Sequence, residues 1–196
     1  MSMNKEHVLL LVVGRTACGK DSLVNKLCER TGLTAITSYT TRPRRENEGE
    51  THIFATEDEY EQMQSDGVVA AYTNIAGYHY WTTIKQLYEN DVYIIDHKGI
   101  QTLRELNLPG IRFVTVFINT PDAVREERAL NNRKDDKFVF RKRNLAEAAQ
   151  FRDTLKNADF DYAISNIDFA KAYSVLRWVS EVEGVWKNNQ EEDSSC

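Results

Sequence analysis

An uninterrupted apolar run, Val8 to Val13, leads straight into Gly14-Arg15-Thr16-Ala17-Cys18-Gly19-Lys20-Asp21-Ser22, and helical spacing follows through Leu23, Leu27 and Arg30. A buried strand, a glycine-bearing loop and a helix start in that order form a phosphate-binding P-loop. Gly14 and Gly19 let the loop curl so that successive backbone N–H groups converge on phosphate oxygens, and the positive end of the helix adds to the field. Lys20 then reaches the outer phosphates. Residues 14–22 are therefore the expected site of a nucleoside triphosphate, with ATP as its magnesium complex the expected phosphoryl donor. Asp21 stands where a Ser or Thr hydroxyl usually meets Mg2+. A carboxylate there can hold the ion directly or through water, with Ser22 as the alternative ligand.

The rest of the chain continues the same grammar. Apolar runs at Val8–Val13, Ala35–Tyr39, Val92–Ile95, Phe113–Ile118 and Tyr162–Ile164 alternate with helical patterns near 20–30, 98–106, 121–131, 141–157 and 168–182. Such alternation predicts an α/β fold of the P-loop kinase kind, a parallel sheet sandwiched by helices. At 196 residues and 41% hydrophobic content the chain suits one well-cored domain. Two stretches interrupt the pattern. Residues 38–90 hold a basic turn, a short helix around Glu57–Ser65 and two aromatic runs, Val68–Asn74 and Tyr78–Thr82, joined by Ala76-Gly77. Residues 131–143 are dense in Arg and Lys. The expected layout is one domain over 1–187, with a core of 1–37, 91–130 and 144–187, a β-rich acceptor-binding insert at 38–90 and a lid at 131–143. The acidic tail 188–196 is expected to be disordered.

A formal net charge of −5 argues against general binding to nucleic acid or anionic membranes, so any anion site must be built locally. Met1 to His7 is polar and the following apolar run is too short to cross or be exported through a membrane, which predicts a cytoplasmic protein, a monomer or homodimer. Three cysteines, Cys18, Cys28 and Cys196, lack metal-ligand spacing and suit reduced thiols. Within the loop, Cys18 is read as an inert small residue, with a reactive thiolate as the alternative.

Arg42, Arg44 and Arg45 crowd three guanidiniums around Pro43. Like charges so close repel one another unless an anion comes between them, and Arg recognises phosphate through paired planar donors, so a second, phosphate-bearing substrate is expected here. In the basic segment, Arg133 and Arg143 are the candidates for closing over the transferred group, with Arg128 and Arg141 nearby, because phosphoryl transfer spreads negative charge that mobile arginines can stabilise. Asp96 follows Val92–Ile95 at the carboxyl end of a buried strand, where open α/β sheets place functional residues. It could orient Mg2+ through water, accept from an acceptor base, or simply start the next turn.

With these residues in view the chain resembles the guanylate kinase family of nucleoside monophosphate kinases from Val8 to about Val182. The ordered blocks are Ser38-Tyr-Thr-Thr-Arg42, Gly49-Glu-Thr-His52-Ile-Phe54, Tyr80-Trp-Thr82, Asp96-His-Lys-Gly99 and Asn166-Ile-Asp168. The resemblance implies that Ser38, Thr82 and Asp96 surround the acceptor base. It also implies that Arg42, Arg45, His52 and Tyr80 hold the acceptor phosphate, with Arg44 an alternative to Arg45, and that Asn166 lies near the donor base. Lys20, Arg133 and Arg143 become the catalytic set. Three departures stand out: the arginine turn is one residue shorter, His52 replaces a phosphate-binding Tyr, and Ala71 replaces the Glu that reads guanine. An alanine methyl accepts no hydrogen bond, so weak discrimination of guanine is expected. The loop and the Thr-Arg-Pro turn also resemble ribose 1,5-bisphosphate phosphokinases, and the non-catalytic guanylate kinase-like modules of scaffolding proteins are a further alternative.

Overall fold

Strand β1 (His7–Val13) sits in the middle of a four-stranded parallel sheet, between β6 (Val92–Ile94) and β7 (Ile111–Asn119), with β8 (Tyr162–Ser165) beyond β7. From Val8 to Val13 its residues are apolar because both faces of the strand are covered. Leu9, Leu11 and Val13 point into one core, shared with Tyr93, Ile100, Leu103 and Phe117. Leu10 and Val12 point into the other, shared with Leu23, Leu27, Val116 and Leu176. Alternate side chains on a strand face opposite ways, so a strand with helices on both sides has no polar face. The registers Val12↔Ile94 and Val12↔Val116 lock β1 to both neighbours. The computed structural model describes residues 6–44, 51–157 and 160–187, apart from the side chains of 149, 150 and 153–157. Arg45 and the tail 188–196, for which expectations were stated, lie outside them.

Helix α1 (Lys20–Thr31) follows the phosphate loop, α4 (His97–Glu105) follows β6, α5 (Asp122–Glu127) follows β7 and α7 (Phe169–Val182) follows β8. A π-helical turn, Arg128–Asn132, extends α5 and leads towards the long helix α6 (Lys137–Asn157). Every strand of this sheet therefore ends, at its carboxyl edge, in a loop that opens a helix. The loops after β1, β6, β7 and β8 meet along one edge, the place where an open α/β sheet presents its binding crevice.

The insert builds a second, four-stranded sheet in the order β3-β2-β5-β4, from β2 (Tyr39–Thr40), β3 (Ile53–Phe54), β4 (Val69–Ile75) and β5 (Tyr78–Thr83). β4 and β5 form a hairpin closed by Ala76 and Gly77, both at positive φ (53° and 87°), as a two-residue turn matched to strand twist requires. Helices α2 (Glu57–Ser65) and α3 (Ile84–Glu89) each start on a capping box, Thr56 with Glu59 and Thr83 with Gln86.

Three expectations need correction. Ala35–Tyr39 is not a strand of the parallel sheet: only Ala35 bridges Val92, and from Tyr39 the chain pairs with Trp81 in the other sheet. The helix expected from about 141 begins earlier, at Lys137, so that residues 137–143 of the basic segment are helical. Asp136 caps it, accepting from Val139 N at 2.9 Å. Helix α3 had no counterpart among the expected elements.

Candidate active site

The loop 14–20 is held from beneath. A Cβ on Gly14 would stand 2.7 Å from Cys18 Sγ and 2.8 Å from the Ile118 carbonyl, so the strand-to-loop corner admits no side chain. Gly19 takes φ +87° and caps α1, and a Cβ there would meet Asn166 Nδ2 at 2.5 Å. The Cys18 carbonyl accepts from Asn166 Nδ2 at 2.7 Å, Thr120 Oγ1 at 3.1 Å and Arg128 NH1 at 3.3 Å. Asn166 is thus buried under the loop and braces it. Burial pushes the Cys18 thiol up, outweighing the pull of the Lys20 charge, so the sulfur is a neutral packing atom.

From above, α6 rests on the loop. Ala17, at φ +57°, packs with Ala129 and Phe140 in a small apolar cluster. Arg15 donates to Asp122 Oδ1 at 3.0 Å and to the carbonyl and Oδ1 of Asn144 at 2.9 and 2.7 Å, and Thr16 N–H donates to Glu147 Oε2 at 2.6 Å. Between the layers lies Arg125, 0% exposed, whose guanidinium reaches Thr120 O (3.2 Å), Thr16 O (3.1 Å), Asp122 Oδ1 (2.6 Å) and Asn144 Oδ1 (2.6 Å). Burial and the neighbouring Arg125 charge lower the Arg15 pKa, against which Asp122 and Glu147 act. Arg125, Asn144 and Glu147 were not among the sequence candidates. On paper Arg125 is one charge in an acidic surface-like helix, and only tertiary contact shows it is fully enclosed.

Lys20 and Asp21 open α1, their charged atoms 4.0 Å apart, with the Asp21 carboxylate largely exposed and Ser22 exposed beside it. Among the described residues no cluster of three or more His, Cys, Asp or Glu is placed to hold a metal. An all-oxygen pair such as Asp21 and Ser22 nevertheless suits Mg2+, which keeps waters and phosphate oxygens as its other ligands. Asp96 stands on a different loop, the one that follows β6. It caps α4, accepting from Gly99 N at 2.8 Å, and burial raises its pKa against hydrogen bonds from Gly99, Lys98 and Thr73.

In the insert, the expected acceptor-phosphate residues converge. Arg42, 8% exposed, donates from Nε to Tyr80 OH at 3.1 Å, Ser38 Oγ lies 3.1 Å from His52 Nδ1, and the His52 and Tyr80 rings meet edge to face at 5.7 Å. Phe54 lies under Arg42 and Arg44, which stand over its ring at 5.5 and 4.6 Å, and meets His52 edge to face at 6.4 Å. Two residues assigned to the acceptor base are less available. Thr82 is fully buried and donates to Gln86 Oε1 at 2.7 Å. Ala71 sits at φ +48° in the main core beside Ile95 and Ile100.

The lid arginines occupy different settings. Arg133 pairs with Asp135 at 3.5 Å and Arg141 with Glu126 at 3.4 Å, Arg143 is exposed on α6 one residue before Asn144, and Arg128 lies across the loop between Cys18 O and Ile167 O. A cleft of about 440 Å³ runs along the free edge of β8, against Lys171 and Val175 of α7 and away from the arginines of the insert.

The family model for guanylate kinase matches residues 6–182. The chain belongs to the guanylate kinase family. That makes it a phosphotransferase of the nucleoside monophosphate kinase class. It is 33% identical over 181 residues to a guanylate kinase of Legionella pneumophila (strain Lens), covering 86% of this chain and 83% of that one. A guanylate kinase of Salmonella paratyphi A is 30% identical over 199 residues, covering 95% and 93%. The crystal structure of guanylate kinase from Anaplasma phagocytophilum shares the fold, with a TM-score of 0.64 at 22% identity over 91% of this chain and 87% of that one. No helix among the described residues is long and apolar enough to cross a membrane.

Proposed function

We propose that the chain transfers the γ-phosphoryl group of ATP, as its Mg2+ complex, to the phosphate of GMP, dGMP or a related nucleoside monophosphate. The observation that carries this reading is the convergence of Arg42, Arg44 and His52 on Phe54, with Tyr80 joined to Arg42 and His52, in a sheet separate from the phosphate loop. Two anion sites on two elements are what a reaction between two phosphates requires. Loop N–H groups and Lys20 hold the donor, the insert holds the acceptor, and Arg133 and Arg143 stabilise the charge that develops between them. Asp21 and Ser22 would hold the Mg2+, which neutralises donor phosphate charge when bound. The 1–187 domain divides into core, insert (38–90) and lid (131–143), with substrate closure bringing the three together in a cytoplasmic monomer or homodimer.

The test is phosphoryl transfer from ATP to GMP, dGMP, AMP, CMP, UMP, TMP and ribose 1,5-bisphosphate in parallel. GMP or dGMP is expected to be turned over, and turnover of none of the nucleotides would end the proposal. Ala71→Glu refines it. Adding a carboxylate to a buried position of positive φ is expected to cost about 2–4 kcal/mol of stability. If residue 71 faces the base, that same group finds guanine donors in the complex, and kcat/KM for GMP relative to AMP rises about tenfold. A folded variant with an unmoved ratio would place the base elsewhere.

A further inference from the structure

The inner face of α6 is continuous. Phe140, Asn144, Glu147 and Phe151 recur at helical spacing. They meet, in order, the Ala17 methyl, the Arg15 and Arg125 guanidiniums, the Thr16 N–H, and Phe117 in the main core. Three of the four grip the phosphate loop, and one grips it with a negative charge. At 2.6 Å the Thr16–Glu147 contact is a short, charge-assisted hydrogen bond to a backbone donor of a loop built to receive anions. Arg143 lies on the same helix, four residues ahead of Glu147.

We propose that Glu147 is a positioning residue that competes with the outer phosphates of the donor for the loop, so that donor binding displaces it and frees α6 to bring Arg143 over the transferred group. This rests on the phosphoryl-transfer reading above. The chemistry is that of two anions sharing one donor. A carboxylate on Thr16 N–H withholds that donor from phosphate and adds a negative charge beside a polyanion, both of which weaken donor affinity. The contact has a second consequence because it comes from the helix that carries a lid arginine. A loop that must release Glu147 to accept phosphate reports its occupancy to that helix through the same bond. Phe140, Asn144 and Phe151 remain to guide the helix as it shifts.

The experiment is isothermal titration of wild type, Glu147→Ala and Glu147→Gln with ATP and with inorganic tripolyphosphate, with Tm recorded for each protein. Glu147→Ala is expected to bind both anions about tenfold more tightly. Glu147→Gln, which keeps an acceptor and loses the charge, should gain less, and the differences should shrink at high ionic strength. Glu147→Ala should also lower kcat, because α6 then no longer responds to the donor. A residue that merely braced the loop would give the reverse sign, with weaker binding in both variants. Unchanged or weaker ATP affinity in folded variants overturns the proposal while leaving the kinase reading intact. A wild type that binds neither ATP nor tripolyphosphate removes both.

Discussion

Arg143→Ala is expected to lower kcat by about 10³–10⁵ with only a few-fold change in the KM for ATP, the loss typical of an arginine that meets transferring phosphoryl charge. Arg143 is exposed on α6 and sits beside Asn144, which is tied to two arginines at the loop. The helix that carries Arg143 is thus tied to the loop one residue away, while the guanidinium itself is exposed. An interaction made only as charge develops affects turnover and leaves substrate binding nearly alone. Arg133, paired with Asp135 at 3.5 Å and half exposed, must leave that partner to act, so Arg133→Ala is expected to show a smaller loss. Steady-state kinetics with saturating GMP measure both. Unchanged kcat in the two variants would take the lid out of the mechanism.

Arg125→Ala is expected to destabilise the protein by about 3–5 kcal/mol, the range for removing one member of a buried, hydrogen-bonded charge network. Thr16 O, Thr120 O and Asn144 Oδ1 would lose a donor, and a cavity the size of a guanidinium would open under the loop. For a chain of this length the loss corresponds to a fall in Tm of roughly 6–20 °C. Arg125→Met fills much of the volume and satisfies none of the acceptors, so it should stay close to the alanine variant, whereas Arg125→Lys should recover part of the loss. The Asp122 carboxylate is exposed enough to find water and contributes little to the difference. Thermal unfolding followed by circular dichroism reads the series, and a Tm within 2 °C of wild type for Arg125→Ala would show the strut to be dispensable.

How much of this was legible in the sequence depended on the range of the interaction. Val8–Val13 followed by Gly14 to Lys20 announced strand, loop and helix because each preference is local: apolar on both faces, glycine where no Cβ fits, a helix start that favours anions. The hairpin at Ala76-Gly77 was legible for the same reason. Two local signals went unused. Asp136 caps α6, and the Thr83 to Gln86 spacing is a capping box that opens α3. Ala35–Tyr39 misled because an apolar run says that a segment is covered but not by which sheet, and the chain leaves one sheet for the other within it.

By itself the sequence determined the parallel α/β architecture, the phosphate loop and the grouping of arginines by segment, since periodicity, glycine placement and charge density all act within a few residues. Only the tertiary structure decided which charges are working parts. Arg125, Asn144 and Glu147 reach the loop across 109 to 131 residues of chain, and Asn166 closes on it across 148. In sequence, Arg125 is flanked by acidic residues and resembles a solvated helix face. Enclosure between its own turn at 120–122, the phosphate loop and α6 is what turns it into a strut, because desolvation makes its buried hydrogen bonds obligatory. The same distinction separates Arg42, folded over Phe54 beside Tyr80, from a basic surface turn: spacing brought three arginines together, and the second sheet supplied the floor that aims two of them.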